Sequence, residues 1–358
     1  MGASVTGIIS MERQAAFQIF VEELSSALAG RGIKFDAGPN GSLAMDGLEI
    51  GRVIEWEPGR NIVLKWDTPD WRKNERATHV RILFEPADEK TRVTIENSSW
   101  ELLFDDQGSE LAGWFAWEIG APFLHAMSPS RFGDWITDRA ARCPSGAKAR
   151  DTYRNPVYHR PNFMAILNTL QLRSNDYLLE IGCGGGAFLK DALLSGCRAA
   201  AIDHSYEMVK LAKDVNREAI AAGRLVIHEC EADRLPFEAT TFTCAVMTGV
   251  FGFLRKPATV LAEISRVLTG DGRLVLYTGT KKLSGTPAAP EPMASRLMFY
   301  EDHELEQLVR QAGFVSVRVE HPNFLEYAKR SGVPKEAMNL FSGREGQLLI
   351  AEKSLRKA

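Results

Sequence analysis

Apolar and polar residues alternate in short runs through the first third of the chain. The runs at 5–9, 48–56, 61–66, 78–86 and 91–100 place hydrophobic side chains at close to every second position, the period of a strand with one face in a core and one in water. Turn-forming residues separate the runs, so the pattern predicts an antiparallel sheet. Two stretches change period. Residues 11–28 repeat their apolar positions every three to four places, as does the aromatic-rich segment 109–125, which Pro122 is expected to bend. Helices laid on such a sheet make an α+β architecture.

Beyond residue 150 the pattern becomes one of strands alternating with helices. Short apolar runs at 177–181, 199–203, 225–229, 243–248 and 273–278 predict buried strands, with a helix over 187–194 between the first two. This is the signature of a parallel α/β sheet. Ala312-Gly313-Phe314 then leads into a run at 315–320, and a last strand is expected at 347–352, the two closing as an antiparallel hairpin.

Composition supports two domains. The chain has 358 residues, 45% of them hydrophobic, enough for two cores. All seven tryptophans fall in the first 135 residues, and Cys143-Pro144-Ser145-Gly146-Ala147-Lys148 has the character of a linker. The cut near residue 146 gives domains 1–145 and 146–358. A net charge of −3, with both signs mixed and no basic tract, favours a small-molecule partner over nucleic acid. Five cysteines with no CxxC or Cys/His spacing point to a reducing, cytoplasmic setting and to no metal site. Neither a signal-peptide core nor a run able to span a bilayer is expected.

The first domain resembles the START-like (SRPBCC) superfamily that includes the activator of Hsp90 ATPase homologues. Gly51-Arg52-Val53-Ile54-Glu55-Trp56-Glu57-Pro58, Val63-Leu64-Lys65-Trp66, Thr91-Arg92-Val93-Thr94-Ile95 and Gly113-Trp114 stand in that family's order. The resemblance implies a helix-grip fold enclosing an apolar cavity that binds a substrate or regulator. Trp100, Trp114, Phe115 and Trp117 either line that cavity or fill the core.

The chemistry is concentrated after residue 176. Leu179-Glu180-Ile181-Gly182-Cys183-Gly184-Gly185-Gly186-Ala187 is an acid at a strand end, then a glycine turn that opens a helix. Glycine permits positive φ and a close approach of backbone to ligand, and a helix start offers free N–H groups. Gly182-x-Gly184-x-x-Ala187 also fits the dinucleotide fingerprint, so an NAD-dependent oxidoreductase is an alternative.

Later segments distinguish the two. Ala201-Ile202-Asp203-His204-Ser205, Glu231-Ala232-Asp233-Arg234-Leu235-Pro236-Phe237, Val246-Met247-Thr248-Gly249 and Glu263-Ile264-Ser265-Arg266-Val267-Leu268-Thr269-Gly270-Asp271-Gly272 follow in register. Over residues 153–353 this set resembles class I S-adenosylmethionine-dependent methyltransferases of the ubiquinone and menaquinone methyltransferase-like group. The resemblance implies a Rossmann-like domain that binds S-adenosylmethionine through Glu180, Gly182, Cys183, Gly184, Gly186, Asp203, His204, Met208, Glu231, Ala232, Thr248 and Gly249. Glu180 would lie near the methionine amine, Asp203 would accept the ribose hydroxyls and Met208 would pack on adenine. Glu231 and Ala232 would meet the adenine edge. Glu231 stands where that group usually has Asp, which leaves Asp233 as a competitor.

Related quinone enzymes carry His after the fourth strand, where this chain has Gly252 and Phe253, so the catalytic residue is left unassigned. Tyr153, Tyr158, His159, Phe251, Phe253 and Tyr300 are the substrate-side candidates, with a Pro-rich insert at 286–292 ahead of the last. The reading is methyl transfer to a small, partly apolar molecule. Besides the oxidoreductase, a non-catalytic ligand-binding or chaperone-linked protein on the same scaffold is the other alternative.

Overall fold

The computed structural model describes residues 3–66, 78–98, 120–144 and 147–354. The chain divides into two compact units, Met1–Trp135 and Ile136–Ala358.

Among the described residues of the first unit, seven strands form one antiparallel sheet: β1 (Ala3–Ile9), β2 (Ile33–Phe35), β3 (Ser42–Met45), β4 (Leu48–Glu57), β5 (Asn61–Trp66), β6 (Thr78–Ala87) and β7 (Lys90–Ser98). Their order is β1-β7-β6-β5-β4-β3-β2. The helix Arg13–Ala29 buries Ala16, Phe17, Phe20, Leu24, Ala27 and Leu28, a spacing of three to four that makes one continuous stripe. The stripe meets the sheet through Phe17 on Trp56 (ring centroids 5.3 Å) and Phe20 on Phe84 (5.4 Å). Phe20 is fully buried, and Phe20→Ala there would cost about 3–5 kcal/mol. Inward positions of β5 and β6, including Ile62, Leu64, Val80 and Ile82, complete the core. The short strands β2 and β3 have no counterpart in the sequence expectations, because three or four residues are too few to show a period. Of the aromatic helix expected at 109–125, the described part is Ala121–Met127, with Pro122 in its first turn, where a missing N–H breaks no helical bond. Trp100, Trp114, Phe115 and Trp117 lie outside the described residues.

The second unit carries β8 (Tyr177–Ile181), β9 (Arg198–Asp203), β10 (Leu225–Glu229), β11 (Phe242–Thr248), β12 (Leu268–Gly279), β13 (Phe314–Glu320) and β14 (Gly346–Lys353). The order is β10-β9-β8-β11-β12-β14-β13. The pairs from β10 to β12 are parallel, and β14 lies antiparallel between β12 and β13. Both faces are covered, which explains the unbroken apolar runs. Helices Pro257–Val267 and Asp302–Gln311 pack on one face, and Arg160–Leu170, Ala187–Ala192 and Tyr206–Val215 on the other. The chain leaves β8 toward β9 on one side and later returns to place β11 on the other. A crevice opens at such a reversal, beyond the carboxyl ends of the strands. Among the described residues, no helix is long and apolar enough to cross a membrane.

Candidate active site

At the carboxyl ends of β8, β9 and β11 lies a cavity of about 560 Å³. The glycine turn forms its floor. Gly182 and Gly184 take φ of +72° and +50°, and a Cβ on Gly182 would come within 2.3 Å of Val250 Cγ2. The turn is fastened to the next strand, since the N–H groups of Gly182 and Cys183 both donate to the Ile202 carbonyl, at 2.8 and 3.0 Å.

Asp203 ends β9 and faces this floor. Its Oδ2 accepts from Gly184 N and its Oδ1 from Ser205 N, each at 2.8 Å. Ser205, not Asp203, caps the helix Tyr206–Val215, so the Asp203 carboxylate is not consumed by capping. Each oxygen has accepted one N–H and keeps capacity for a ligand hydroxyl. Burial raises the Asp203 pKa, opposed by the N–H donors of Ser205 and Gly184.

Glu180 is more extreme. It is 1% exposed, lines the cavity, and among the described residues its Oε2 has no hydrogen-bond partner. Desolvation, and then the Asp203 charge, push its pKa well above the ordinary carboxylate range. A buried acid without a partner is costly unless a cation or donor arrives. Tyr153 packs against Gly184, and burial raises its phenol to about 12, with Asp203 adding to the shift.

The cavity brings together most of the residues singled out from sequence: Glu180, Gly182, Cys183, Gly184, Asp203, His204, Met208, Glu231, Ala232, Thr248 and Gly249. Tyr153, His159 and Phe253 line it as well, as does Asp233. Four candidates lie elsewhere. Gly186 (φ +77°) is required by helix packing, because a Cβ there would meet Asn216 Nδ2 at 2.6 Å and Ala212 Cβ at 2.9 Å. Tyr158 points to solvent at 53% exposure. Phe251 is fully buried and packs on Tyr300 (5.2 Å), so both are core. Gly252, one of the positions where the resemblance leads one to expect His, is closed over, since its carbonyl accepts Met298 N at 2.8 Å and a Cβ would press on Leu297 Cδ2 at 3.0 Å.

Other lining residues carried no signal in the sequence. Ala141, Arg142 and Pro144 come from the stretch that reads as a linker or just precedes it. His204 Nε2 lies 3.3 Å from Cys143 Sγ and within hydrogen-bond distance of the Arg142 carbonyl, which holds that stretch beside the cavity. The turn at Leu235-Pro236-Phe237 is clamped from the helix Pro257–Val267. Glu263 accepts from Leu235 N at 2.9 Å, and Arg266 donates to the carbonyls of Phe237 (2.7 Å) and Leu235 (3.1 Å). That clamp sets the path of Glu231 to Asp233 along the rim. Among the described residues no cluster of His, Cys, Asp and Glu is arranged to hold a metal.

Comparison with known proteins places two domains on the chain. Residues 179–276 match the methyltransferase domain family, and residues 16–114 match the activator of Hsp90 ATPase homolog 1-like family. The mitochondrial ubiquinone biosynthesis O-methyltransferase of Schizosaccharomyces pombe is 28% identical over 50% of this chain and 55% of its own length. A demethylmenaquinone methyltransferase of Lactiplantibacillus plantarum is 32% identical over 34% of this chain and 56% of its own length. The chain therefore spans about half the length of these curated relatives. Among solved structures, an S-adenosylmethionine-dependent methyltransferase of Aquifex aeolicus is 18% identical, covering 57% of this chain and 97% of its own, with a TM-score of 0.45.

Proposed function

We propose that this chain, which carries a methyltransferase domain and an Hsp90 ATPase activator homolog 1-like domain, is an S-adenosylmethionine-dependent methyltransferase acting on a small, partly apolar molecule. The observation that carries the reading is the pair of buried acids on the glycine turn. Asp203 is braced by two backbone N–H groups, and among the described residues Glu180 Oε2 has no hydrogen-bond partner. A cavity with two buried acids is suited to a ligand that brings ribose hydroxyls and a positive charge. The alternative of an NAD-dependent oxidoreductase is not favoured by the domain match.

In this reading Asp203 holds the ribose, Glu180 the ammonium, and Glu231 with Ala232 the adenine edge, while Thr248 and Gly249 border the cofactor. S-adenosylmethionine bound there supplies an electrophilic methyl group. The chain's own contribution is to hold the acceptor in line and to exclude water. Phe163, Val250, Phe253 and Leu254 offer the apolar walls for that acceptor. The quinone-type acceptors in the relatives' names suit such walls. In the same reading the second domain is a class I Rossmann-like domain over 146–358. The first, 1–145, is a START-like helix-grip domain that binds substrate or regulator, and the protein works in the cytoplasm.

Calorimetry of the full chain with S-adenosylhomocysteine and with NADH tests the proposal. Binding of the former in preference to the latter is expected, and the reverse preference would refute it.

A further inference from the structure

The amino-acid end of S-adenosylmethionine is a zwitterion. A receptor for it needs an acceptor for the ammonium and a donor for the carboxylate, preferably a cation. Glu180 answers the first need. Among the described residues, five basic side chains line the same cavity: Arg142, His159, His204, Arg255 and Lys256.

Four of these are placed or engaged elsewhere. Arg142 Nε is 2.6 Å from Asp138. His204 directs one ring nitrogen to the Arg142 carbonyl, and its other lies 4.0 Å from Glu231. Arg255 and Lys256 precede the helix Pro257–Val267, on the face of the sheet opposite the glycine-turn helix.

His159 is on the side of the turn. It precedes the helix Arg160–Leu170, whose Phe163 meets Phe188, in the helix after the turn, at 5.5 Å. The preceding helix, Ala147–Arg154, presses on the turn itself, since a Cβ on Gly185 would lie 2.5 Å from the Tyr153 carbonyl oxygen. Among the described residues the His159 ring nitrogens make no hydrogen bond, and its ring contact is Phe163 at 6.4 Å. Its neighbour Arg160 is committed to Asn155 at 3.1 Å and to Asp191 at 3.8 Å.

We propose that His159 receives the carboxylate of the cofactor's amino-acid end, opposite Glu180, which receives its ammonium. This assignment rests on the cofactor reading above.

The electrostatics suit a receptor that stays uncharged until it is filled. His159 exposes its ring to the cavity, yet the surrounding protein desolvates it and lowers its pKa, while burial raises that of Glu180. Among the described residues, Asp203 and Cys183 bear on Glu180, Tyr153 bears on Asp203, and Arg160 with its partner Asp191 stands beside His159 in the chain. Tyr153 and Cys183 are both held in their neutral forms by burial, and Arg160 and Asp191 face each other. An arriving carboxylate favours the imidazolium just as an arriving ammonium favours the Glu180 carboxylate. The empty fold is spared two unpaired charges, and the occupied one gains two ion pairs.

The test uses the full chain and two probes, S-adenosylhomocysteine and 5′-methylthioadenosine, which keeps the nucleoside and thioether but has no amino-acid end. His159→Gln is expected to weaken S-adenosylhomocysteine about tenfold or more, the size of a lost charge-assisted hydrogen bond, and to leave 5′-methylthioadenosine unchanged. His159→Lys, which restores a cation, is expected to recover most of the loss. Unchanged S-adenosylhomocysteine affinity in His159→Gln, or an equal loss for both probes, would overturn the assignment and leave the cofactor reading standing. Failure of the unaltered chain to bind either probe would overturn both.

Discussion

Asp203→Ala removes a side chain that organises the glycine turn and that the proposed reading offers to the ribose. The carboxylate accepts from Gly184 N and Ser205 N at 2.8 Å each and is 8% exposed. Leaving two such donors unpaired costs about 1–3 kcal/mol apiece when they are buried, less where water from the cavity replaces the acceptor. A loss of about 2 kcal/mol of stability is expected, which lowers the melting temperature by roughly 4–8 °C for a unit of this size. Cofactor binding suffers separately. Two ribose hydroxyls lose a charged acceptor, about 2 kcal/mol or more, or roughly 30-fold in Kd. Calorimetric titration with S-adenosylhomocysteine, well below the variant's melting temperature, separates the two effects. Asp203→Asn keeps one acceptor oxygen and is expected to fall between the unaltered chain and Asp203→Ala on both measures. Unchanged affinity in Asp203→Ala would refute the placement of the ribose, whatever happens to stability.

Three further outcomes are expected. Glu231→Ala should weaken the cofactor and Asp233→Ala should not; if calorimetry finds the reverse, the rim segment is read two residues out of register. Because the folded pKa of Glu180 is raised, its ionisation opposes folding as pH climbs above the ordinary carboxylate range. Thermal melts across pH 5 to 8 should therefore show Glu180→Gln gaining stability relative to the unaltered chain as pH rises, and a constant difference would argue against a neutral Glu180. For the division of labour, a chain of residues 136–358 should bind S-adenosylhomocysteine as the full chain does. A chain starting at 150 lacks Ala141, Arg142 and Pro144 and should bind it less well. Equal affinity for the two truncations, again by calorimetry, would remove the 136–149 segment from the site.

Much of the second unit was legible because its signals are local. The strand expected at 177–181 is β8, Tyr177–Ile181, since five apolar or flanking residues before a glycine turn leave little choice of boundary. Gly182 and Gly184 adopt the positive φ that their residue type anticipates. Asp203 stands at a strand end in the sequence and in the structure alike.

Tertiary structure alone decided which of two adjacent residues faces the cavity and which candidates are merely core. Tyr158 and His159 are neighbours in sequence and both are exposed, yet His159 lines the cavity and Tyr158 does not. Gly186 looks like a third cofactor glycine, yet its need for glycine comes from Asn216 and Ala212, some thirty positions away. Phe251 and Tyr300 carry the right chemistry for a substrate wall but bury each other. Cys143 and Pro144 open the stretch that reads as a linker, Ala141 and Arg142 just precede it, and their place beside the cavity depends on His204, about sixty residues further on, reaching back to Cys143 and the Arg142 carbonyl. The physical reason is the same in each case. Period, turn chemistry and strand ends are set by the nearest few residues, whereas burial and orientation are set by partners that only the folded chain brings within contact.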